Sequence, residues 1–459
     1  MNVLIINNSD SVGGAARAAF RLHQGLQKKG KVEQHIRTQM LVQSKQSDNA
    51  DVLGSSATSG IGQAKAGLRL TLDQLPLKRY KNRTGTTFSP QWVPERIAAR
   101  VHAINPDVIN LHWINAGFVQ IETLAQFKQP IVWTLHDMWA FTGGCHYDQG
   151  CDRYQTQCKT CPQLGSQKER DLARWIWRRK RKVFEKLNLT IVTPSAWLGR
   201  CAQSSPLLKD RQIHVIPNGI NEQIYRPMGQ QTARAALRLP ADKKLLLFGS
   251  LNATSDQRKG FHRLQAALKN LKESGAHGAF ELVIFGASKP ENPPDLGFKT
   301  HYLGSFSDDL SLAFVFSAAD AFVLPSLQEN LANTVIEALA CGTPCLAFDI
   351  GGMPDMIEHG KNGYLAKPFE INDLAKGIAT LLNGEINSEN GINIPFADAN
   401  HLSRQARESV INHFTLDKQA DRYHALFQNL HPSTEQPLPL VNEKISGPQT
   451  ADNQVALRR

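Results

Sequence analysis

The chain has 459 residues, of which 41% are hydrophobic, so it is too long for one ordinary domain and can bury sizeable cores. Its formal net charge of +11 indicates an anionic partner, without choosing between nucleic acid, an acidic membrane surface and a phosphorylated small molecule. Because no run approaches the roughly 18 apolar residues of a membrane-spanning helix, and no basic leader precedes the first apolar segment, we expect a soluble, cytoplasmic protein.

Short apolar runs alternate with helical patterns along the chain. The first run, at 3–7, leads through a loop with Gly13 and Gly14 into a helical pattern at 15–29, which Gly30 is expected to cap. Further apolar runs follow at 108–111, 131–135, 190–192, 214–216, 245–248, 282–285, 321–324 and 344–348, whereas the stretch 42–65 is polar and weakly patterned. This alternation predicts parallel sheets covered by helices on both faces, and so many strands predict two sheets.

The segment at 216–219, Ile-Pro-Asn-Gly, and the stretch at 229–232 are typical of a hinge between two halves. We therefore expect one domain at 1–220, with a cysteine-rich loop at 143–163, and a second domain at 221–400. Two helices are predicted at 401–430. From 431 to 459 the chain is rich in proline, glutamine and asparagine without periodicity, which predicts a disordered tail.

Polar and small residues cluster where predicted strands end, and open parallel sheets bind ligands beyond the carboxyl ends of their strands. Gly13 and Gly14 follow the first strand, and His112 and His136 follow the strands at 108–111 and 131–135. A glycine pair lets backbone amides approach a phosphate at a helix N-terminus, but the same pair suits an ordinary tight turn. His136 either bonds to its neighbours as a structural residue or orients a reacting group.

An acidic segment follows the strand at 321–324, and a helix is predicted at 331–341. Glu329 lies in the loop before this helix, and Glu337 lies about two turns into it. Free amides of a first helical turn receive phosphate oxygens or sugar hydroxyls, and carboxylates accept hydrogen bonds from hydroxyls. Acidic residues also favour a helix N-terminus through the dipole, which suits Glu329 but explains Glu337 poorly because Glu337 stands among apolar residues.

This segment carries a family resemblance. Two glutamates with seven residues between them, followed by Ala-x-x-x-Gly-x-Pro at 338–344, resemble the signature of the retaining glycosyltransferases of family 4, which have the GT-B fold. The segments 348–355 and 216–220 are similar to other parts of that family. The resemblance covers about residues 1–430. It implies an α/β architecture of two Rossmann-like, doubly wound parallel-sheet domains facing a central cleft, the first on the acceptor side and the second binding a nucleotide sugar.

The resemblance implies roles for residues of the acidic segment. Glu337 would hold the ribose hydroxyls of the donor, and Glu329 would bind the transferred sugar near the reaction centre. Amides around Asn330 and Leu331 would also contact the donor. On the opposite side of the cleft, His112 is an acceptor-side candidate.

Further residues match the family at the leaving group. Arg258 and Lys259 match the basic pair that binds the donor diphosphate, where fixed cations stabilise the charge that develops as the diphosphate departs. Gly13 and Gly14 match the glycine loop near that diphosphate, and His136 matches a histidine near the anomeric centre. Because no acidic metal-binding pair is evident near these residues, we expect no cofactor for catalysis, and the resemblance implies no covalent carboxylate nucleophile.

Four of the seven cysteines lie close together, at Cys145, Cys151, Cys158 and Cys161. In a reducing cytosol such a cluster favours metal over disulfides, although only Cys158 and Cys161 have standard zinc spacing. One interpretation is a structural zinc held by the four thiolates, with His146 as a substitute ligand. The alternative is free thiols or two disulfides, and spacing does not decide between them.

Two basic clusters, at 175–182 and 78–83, contain aromatic residues. The first is either a helix at an anionic membrane surface, where a lipid-linked acceptor would lie, or a solvated helix with its tryptophans in the core. The membrane interpretation predicts peripheral contact with the inner face of the plasma membrane. The second cluster would serve the membrane or an acceptor phosphate.

We therefore expect a retaining, hexosyl-type glycosyltransferase that moves a sugar from a nucleotide-diphosphate sugar to a glycan or lipid-linked saccharide in cell-surface polysaccharide biosynthesis. One alternative is a basic zinc-knuckle protein that binds nucleic acid, but the cations are scattered and no recognition module is evident, so no nucleic acid is expected. A second alternative is a non-catalytic binder of sugar nucleotides, which the intact glutamates and basic pair disfavour.

Overall fold

The computed structural model describes residues 1–33, 35–56, 60–249, 256–275, 279–383, 385–387, 393–395 and 398–431. The tail predicted to be disordered at 431–459 lies outside these residues, except for His431. Two parallel sheets organise the rest. We call the part of the chain built on the first sheet the first lobe, and the part built on the second sheet the second lobe.

The first sheet has seven strands, all parallel, in the order β3-β2-β1-β4-β5-β6-β7. Its strands are β1 (Asn2–Ser9), β2 (Arg37–Lys45), β3 (Val52–Ser56), β4 (Val108–Leu111), β5 (Ile131–Thr134), β6 (Leu189–Thr193) and β7 (Ile213–Val215). One of these, β3, lies within the stretch 42–65 that is polar and weakly patterned in sequence, and β2 ends in that stretch. The first sheet expected from the sequence is confirmed, but the apolar pattern did not predict β2 and β3 at one edge of it.

The second sheet has six parallel strands in the order β10-β9-β8-β11-β12-β13. Its strands are β8 (Lys244–Gly249), β9 (Phe280–Phe285), β10 (Thr300–Tyr302), β11 (Ala321–Leu324), β12 (Cys345–Phe348) and β13 (Gly363–Ala366). A separate antiparallel pair joins β14 (Glu385–Asn387) to β15 (Asn393–Pro395). Both large sheets reverse their strand order, between β1 and β4 and between β8 and β11, and such reversals open the crevices where α/β sheets bind ligands.

Helices cover both faces of each sheet. They are α1 (Gly14–Glu33), α2 (Gly60–Gln74), α3 (Ile97–Ile104), α4 (Leu172–Phe184), α5 (Ala196–Ser204), α6 (Gln230–Ala236), α7 (Phe261–Glu273), α8 (Asp309–Ala318), α9 (Asn333–Ala340), α10 (Ile371–Asn383), α11 (Ala399–His413) and α12 (Leu416–Leu430). No helix in the described ranges is long and apolar enough to cross a membrane.

Alternate residues of a central strand enter different cores, which explains why these strands are almost wholly apolar. In β1, Leu4 and Ile6 belong to one core and Ile5 to the core on the opposite face. In β8, Leu245 and Leu246 divide in the same way. Since neither face of such a strand meets water, a continuous apolar run is favoured over an alternating one.

The last two helices connect the lobes. Helix α11 packs on the second lobe, where Ala406 and Val410 join the core of α8 and α9. Helix α12 returns to the first lobe, where Tyr423 and Phe427 pack in the core formed by β1 and α1. The hydroxyl of Tyr423 also lies 2.8 Å from the hydroxyl of Thr134, at the end of β5. The chain therefore crosses between the lobes a second time after α11.

A lysine is buried inside the first lobe. Lys180, on α4, is 0% exposed, and its ammonium lies 3.6 Å from the centre of the Trp139 ring. It donates to the carbonyls of Trp139 and Thr142. Among the described residues no carboxylate forms an ion pair with it. Burial lowers the pKa of Lys180 to about 7, so that its charge is largely lost on folding at alkaline pH.

This shift predicts a pH-dependent stability. Because the folded pKa of Lys180 lies below that of the unfolded chain, the unfolded state binds the extra proton between about pH 7 and 10.5, and stability rises with pH across that window. We expect Lys180→Met to flatten the rise in the free energy of unfolding by up to ~1.4 kcal/mol per pH unit. Urea unfolding at pH 7, 8 and 9 measures the free energy of unfolding of each variant, and Lys186→Met, at an exposed lysine, is the control. If the free energy of unfolding rises equally with pH in the wild type and in Lys180→Met, the lowered pKa of Lys180 is contradicted.

Candidate active site

The predicted site residues lie at the carboxyl ends of the strands that flank the two order reversals. The loop with Gly13 and Gly14 follows β1, and His136 follows β5. In the second lobe, Arg258 and Lys259 follow β8, and Glu329 lies between β11 and α9. The two lobes bring these strand ends towards each other.

Glu329 is the centre of the charged groups in the second lobe. Its side chain is only 9% exposed, and its Oε2 lies 2.6 Å from Nζ of Lys259 and 3.1 Å from Nη1 of Arg258. Burial opposes ionisation, but the charges of Lys259 and Arg258 outweigh burial and lower the pKa of Glu329 to about 2. Glu329 and the basic pair, which the sequence analysis assigned to the transferred sugar and the donor diphosphate, are therefore in direct contact.

Backbone geometry places the two cations. Arg258 and Lys259 form the end of a 3-10 helix, Gln257–Lys259, whose N-cap Asp256 accepts from the amide of Arg258 at 2.9 Å. Gly260 follows at φ +74°, and a Cβ there would collide with the carbonyl oxygen of Pro325. Only glycine therefore lets the chain turn against the end of β11 and hold both cations over Glu329.

The first lobe contributes a tyrosine to the same cluster. Tyr147 lies in the cysteine-rich loop, and its ring centre is 4.6 Å from the guanidinium carbon of Arg258. Its hydroxyl lies 3.5 Å from Oε1 of Glu329. Sequence analysis missed this residue, since nothing in the sequence links position 147 to position 329.

The second glutamate has a different partner. Glu337, on α9, is 1% exposed, and its Oε1 lies 2.8 Å from Nη2 of Arg21 on α1. The Arg21 side chain also donates to the hydroxyl of Tyr225 at 3.1 Å and lies 3.4 Å from Asp309. Arg17, one turn earlier on α1, pairs with Asp309 at 3.0 Å. Glu337 is therefore buried as predicted, but it faces an arginine of the other lobe and not the basic pair.

Helix α9 begins later than expected, which changes the surroundings of the acidic segment. It starts at Asn333, so Asn330 and Leu331 precede the helix and Glu337 lies little more than one turn into it. Asn333 donates from Nδ2 to the carbonyl of Gly14 at 3.0 Å. The glycine loop, where Gly13 has φ +91°, thus meets the start of α9 directly.

Asn330 ties the acidic loop to the first lobe. It accepts a hydrogen bond from the hydroxyl of Ser195 at 2.6 Å and donates to the carbonyl of His136 at 3.1 Å. A space of about 10 Å³ remains within the first lobe beside His136 and His112, which is near the lower limit for one water molecule. The contacts of Asn330 with Ser195 and His136 hold the two lobes in a closed arrangement.

Hydrogen bonds determine the tautomers of the two histidines. Asn110 donates from Nδ2 to the carbonyl of Val132, so its Oδ1 faces Nε2 of His112 at 2.9 Å and accepts. Burial lowers the pKa of His112 well below its ordinary value and that of His136 to about 4, so both rings are neutral at pH 7. Nδ1 of His112 then accepts from Nε2 of His136 at 2.9 Å. The Nδ1 of His136 remains as a hydrogen-bond acceptor.

A second histidine network lies next to His136. Asp137 Oδ2 is 2.7 Å from Nδ1 of His146, and Nε2 of His146 is 2.9 Å from the hydroxyl of Ser89. Burial opposes ionisation of Asp137, but His146 lowers its pKa below the ordinary value. Both ring nitrogens of His146 are therefore engaged in this network, and its role as a substitute zinc ligand stays a prediction.

The four clustered cysteines are placed as free thiols. Cys145, Cys158 and Cys161 are buried and Cys151 is half-buried. Burial raises the pKa of Cys158 to about 12, and the amide of Gly143 donates to its sulfur at 3.1 Å. Within the ranges the structure describes, no three His, Cys, Asp or Glu side chains are grouped to hold a metal ion. The arrangement gives the zinc interpretation no support, and we assign no step to a metal.

Comparison with known proteins identifies the family. The sequence model described as Glycosyltransferase Family 4 matches residues 12–224, and the model described as Glycosyl transferases group 1 matches residues 242–384. A curated relative, D-inositol 3-phosphate glycosyltransferase of Mycobacterium tuberculosis, is 29% identical over 174 residues. That alignment covers 37% of this chain and 36% of the relative, so it spans little more than a third of either protein.

Solved structures share the fold over most of the chain. Sucrose-phosphate synthase from Thermosynechococcus elongatus covers 94% of this chain and 99% of its own, at 20% identity and a TM-score of 0.63. The Anabaena protein HepE in complex with UDP-glucose covers 94% of this chain and 100% of its own, at 16% identity and a TM-score of 0.58.

These matches do not favour the nucleic-acid-binding alternative, since both family models describe transferases. They agree with two facing parallel sheets and with charged strand ends at each order reversal. The chain is a glycosyltransferase that belongs to family 4 and the group 1 glycosyl transferases, with the GT-B fold.

Proposed function

We propose that this enzyme moves a sugar from a nucleotide-diphosphate donor to a hydroxyl of a glycan or lipid-linked saccharide, with retention of configuration, in cell-surface polysaccharide biosynthesis. In this proposal residues 1–220 hold the acceptor and residues 221–400 hold the donor. The observation that carries it is the buried Glu329 between Lys259 and Arg258, in a loop whose next residue, Asn330, contacts His136.

The two cations would stabilise the leaving diphosphate. In the closed structure, Arg258 pairs with Glu329 and Asp256, and Lys259 pairs with Glu329, so the donors of both cations are held by carboxylates. A diphosphate offers more acceptor oxygens than one carboxylate, and guanidinium and ammonium groups bind them as charge-assisted donors. Fixed cations at the leaving oxygen lower the barrier without having to reorganise during the reaction.

The hydroxyls of the transferred sugar would meet acceptors on both lobes. Glu329 would accept from the sugar while Lys259 and Arg258 turn to the diphosphate. His136 presents Nδ1 as an acceptor because its Nε2–H is used by His112. A neutral imidazole in this tautomer accepts a hydroxyl proton in a hydrogen bond, and it does so at any pH well above its pKa of about 4. Glu337 would accept from the ribose, as in the family signature.

Donor entry requires the lobes to separate. Polar contacts between the lobes, among them Asn330 to His136, Asn333 to Gly14, and Arg21 to Glu337, close the cleft. Opening and closing of this kind excludes water during transfer and often limits turnover.

We also place the enzyme in the cytoplasm, in peripheral contact with the inner face of the plasma membrane. The support is the basic face of α4, where Trp175 is 46% exposed while Trp177 is buried. An exposed aromatic ring beside several cations suits the headgroup region of an anionic membrane.

Binding of a nucleotide sugar is the first test. We expect at least one of the UDP-, GDP- and ADP-sugars to raise the melting temperature, because a ligand that binds only the folded state stabilises it by about 2.7 kcal/mol at a hundred times its Kd. Thermal shift and release of nucleoside diphosphate measure it. If none of these donors shifts the melting temperature or is turned over, the proposed function is wrong.

Lys259→Met tests the role of the cations. Loss of one fixed charge at the leaving group is expected to lower kcat by about a hundredfold or more. Steady-state kinetics with the donor found in the screen measures it. The matched control is Lys269→Met, which removes an exposed lysine of α7 whose partner is Glu273. Equal kcat for the two variants would remove Lys259 from the mechanism.

Arg21→Met tests the ion pair between the lobes. It leaves the carboxylate of Glu337 buried without its partner, and we expect the free energy of unfolding to fall by about 3–5 kcal/mol. The double variant Arg21→Met/Glu337→Met removes both charges and should recover much of this loss. Urea unfolding of the two variants checks the expectation, and a double variant no more stable than Arg21→Met contradicts it.

A further inference from the structure

A surface pocket lies on the outer side of α4, where that helix meets the cysteine-rich loop. Its volume is about 300 Å³. It shares no lining residue with the charged cluster around Glu329. The residues that line it are Gln157, Arg174, Trp177, Arg178, Arg181, Lys182 and Glu185.

The pocket carries an excess of positive charge. Four of its lining residues are cations, and one is a carboxylate. Arg181 pairs with Glu185 at 3.2 Å, and both side chains are 63% exposed. Arg174, Arg178 and Lys182 form no ion pair with any residue in the described ranges. The nearby Asp171 is already used as the N-cap of α4, where it accepts from the amide of Arg174 at 2.9 Å.

Two buried donors in the pocket wall lack acceptors. Nε of Arg174 and Nε1 of Trp177 are each buried, and neither has a hydrogen-bond partner among the described residues. Trp177 is 4% exposed, so solvent does not satisfy its indole N–H. Buried donors are nearly always paired in folded proteins, so two lining residues with unpaired donors favour a ligand that brings acceptor oxygens to this pocket.

The pocket is built by two segments and is not only a solvated helix face. Arg174, Arg178 and Lys182 are spaced four residues apart, which aligns them along one side of α4. Gln157 enters from the cysteine-rich loop. That loop is held in place by its buried neighbour Cys158, whose sulfur accepts from the amide of Gly143 at 3.1 Å.

We propose that this pocket binds a phosphate group, as a monoester or a diester. A phosphate supplies several acceptor oxygens and negative charge, which suits guanidinium and ammonium donors together with the indole N–H. The same chemistry is offered by a phosphorylated saccharide in solution and by a phospholipid headgroup. The proposal does not depend on the donor site, since no lining residue belongs to it, whereas its headgroup form rests on the membrane contact proposed above for the same helix.

The indole N–H of Trp177 reports on the pocket directly. The protein has seven tryptophans, so a ¹⁵N TROSY spectrum of the full chain contains few indole resonances, and loss of one in Trp177→Phe assigns it. We expect titration with glycerol 3-phosphate or inorganic phosphate to move this resonance. In parallel, co-sedimentation with phosphatidylcholine vesicles, with and without phosphatidic acid, tests the headgroup.

Charge reversal at two exposed positions completes the test. Arg178→Glu/Lys182→Glu should weaken the response at least about tenfold, because it places carboxylates beside the phosphate. Lys128→Glu/Lys243→Glu, which changes the net charge equally at exposed sites outside the pocket, should leave the response intact.

A response to the soluble phosphates identifies a free ligand, and sedimentation that depends on phosphatidic acid and on the pocket cations identifies a headgroup; both support the site. No response to either probe, or a response that both double variants lose equally, overturns it.

Discussion

The buried carboxylate of Glu329 is the constraint on which the candidate site depends. An isolated buried charge is very unfavourable, so this carboxylate persists only because Lys259 and Arg258 stand within 3.1 Å of it. That pairing in turn requires the left-handed turn at Gly260 and the close approach of the 3-10 helix to the end of β11. The local backbone thus serves to keep two cations and one anion together where a diphosphate would arrive.

The contact between the lobes is polar and exchangeable. It consists of the ion pairs that Arg17 and Arg21 form with Asp309 and Glu337, together with hydrogen bonds such as those from Asn330 and Asn333 to backbone carbonyls. Each such bond contributes little net stability, because water replaces it when the lobes separate. An interface of this kind can open for a ligand while each lobe keeps its own apolar cores intact, and α12 keeps the lobes connected when they part.

Burial keeps the two histidines of the cleft neutral and so determines their hydrogen-bonding roles. His136 and His112 each have a lowered pKa, and the amide of Asn110 orients the pair through a chain of hydrogen bonds. The adjacent network of Asp137, His146 and Ser89 holds the following loop. The cleft therefore presents fixed acceptors on the first lobe and fixed cations on the second, which is the division that transfer from a charged donor needs.

The sequence by itself determined the alternation of strands and helices and the strand ends that carry polar residues, because these follow from local periodicity and from short motifs. It did not determine features that depend on residues distant in the chain, such as the pairing of Glu329 with Lys259 and Arg258. Helix α1 runs through Gly30 to Glu33, since a glycine there lets the carbonyl of Ile36 pack against the helix, although the pattern predicted a cap. Strand β2 has β1 as its parallel partner, and β3 in turn pairs with β2 at the edge of the sheet. Only the tertiary structure brought Arg21 to Glu337, 316 residues apart in the chain, because the closed lobes and not the sequence spacing set that distance.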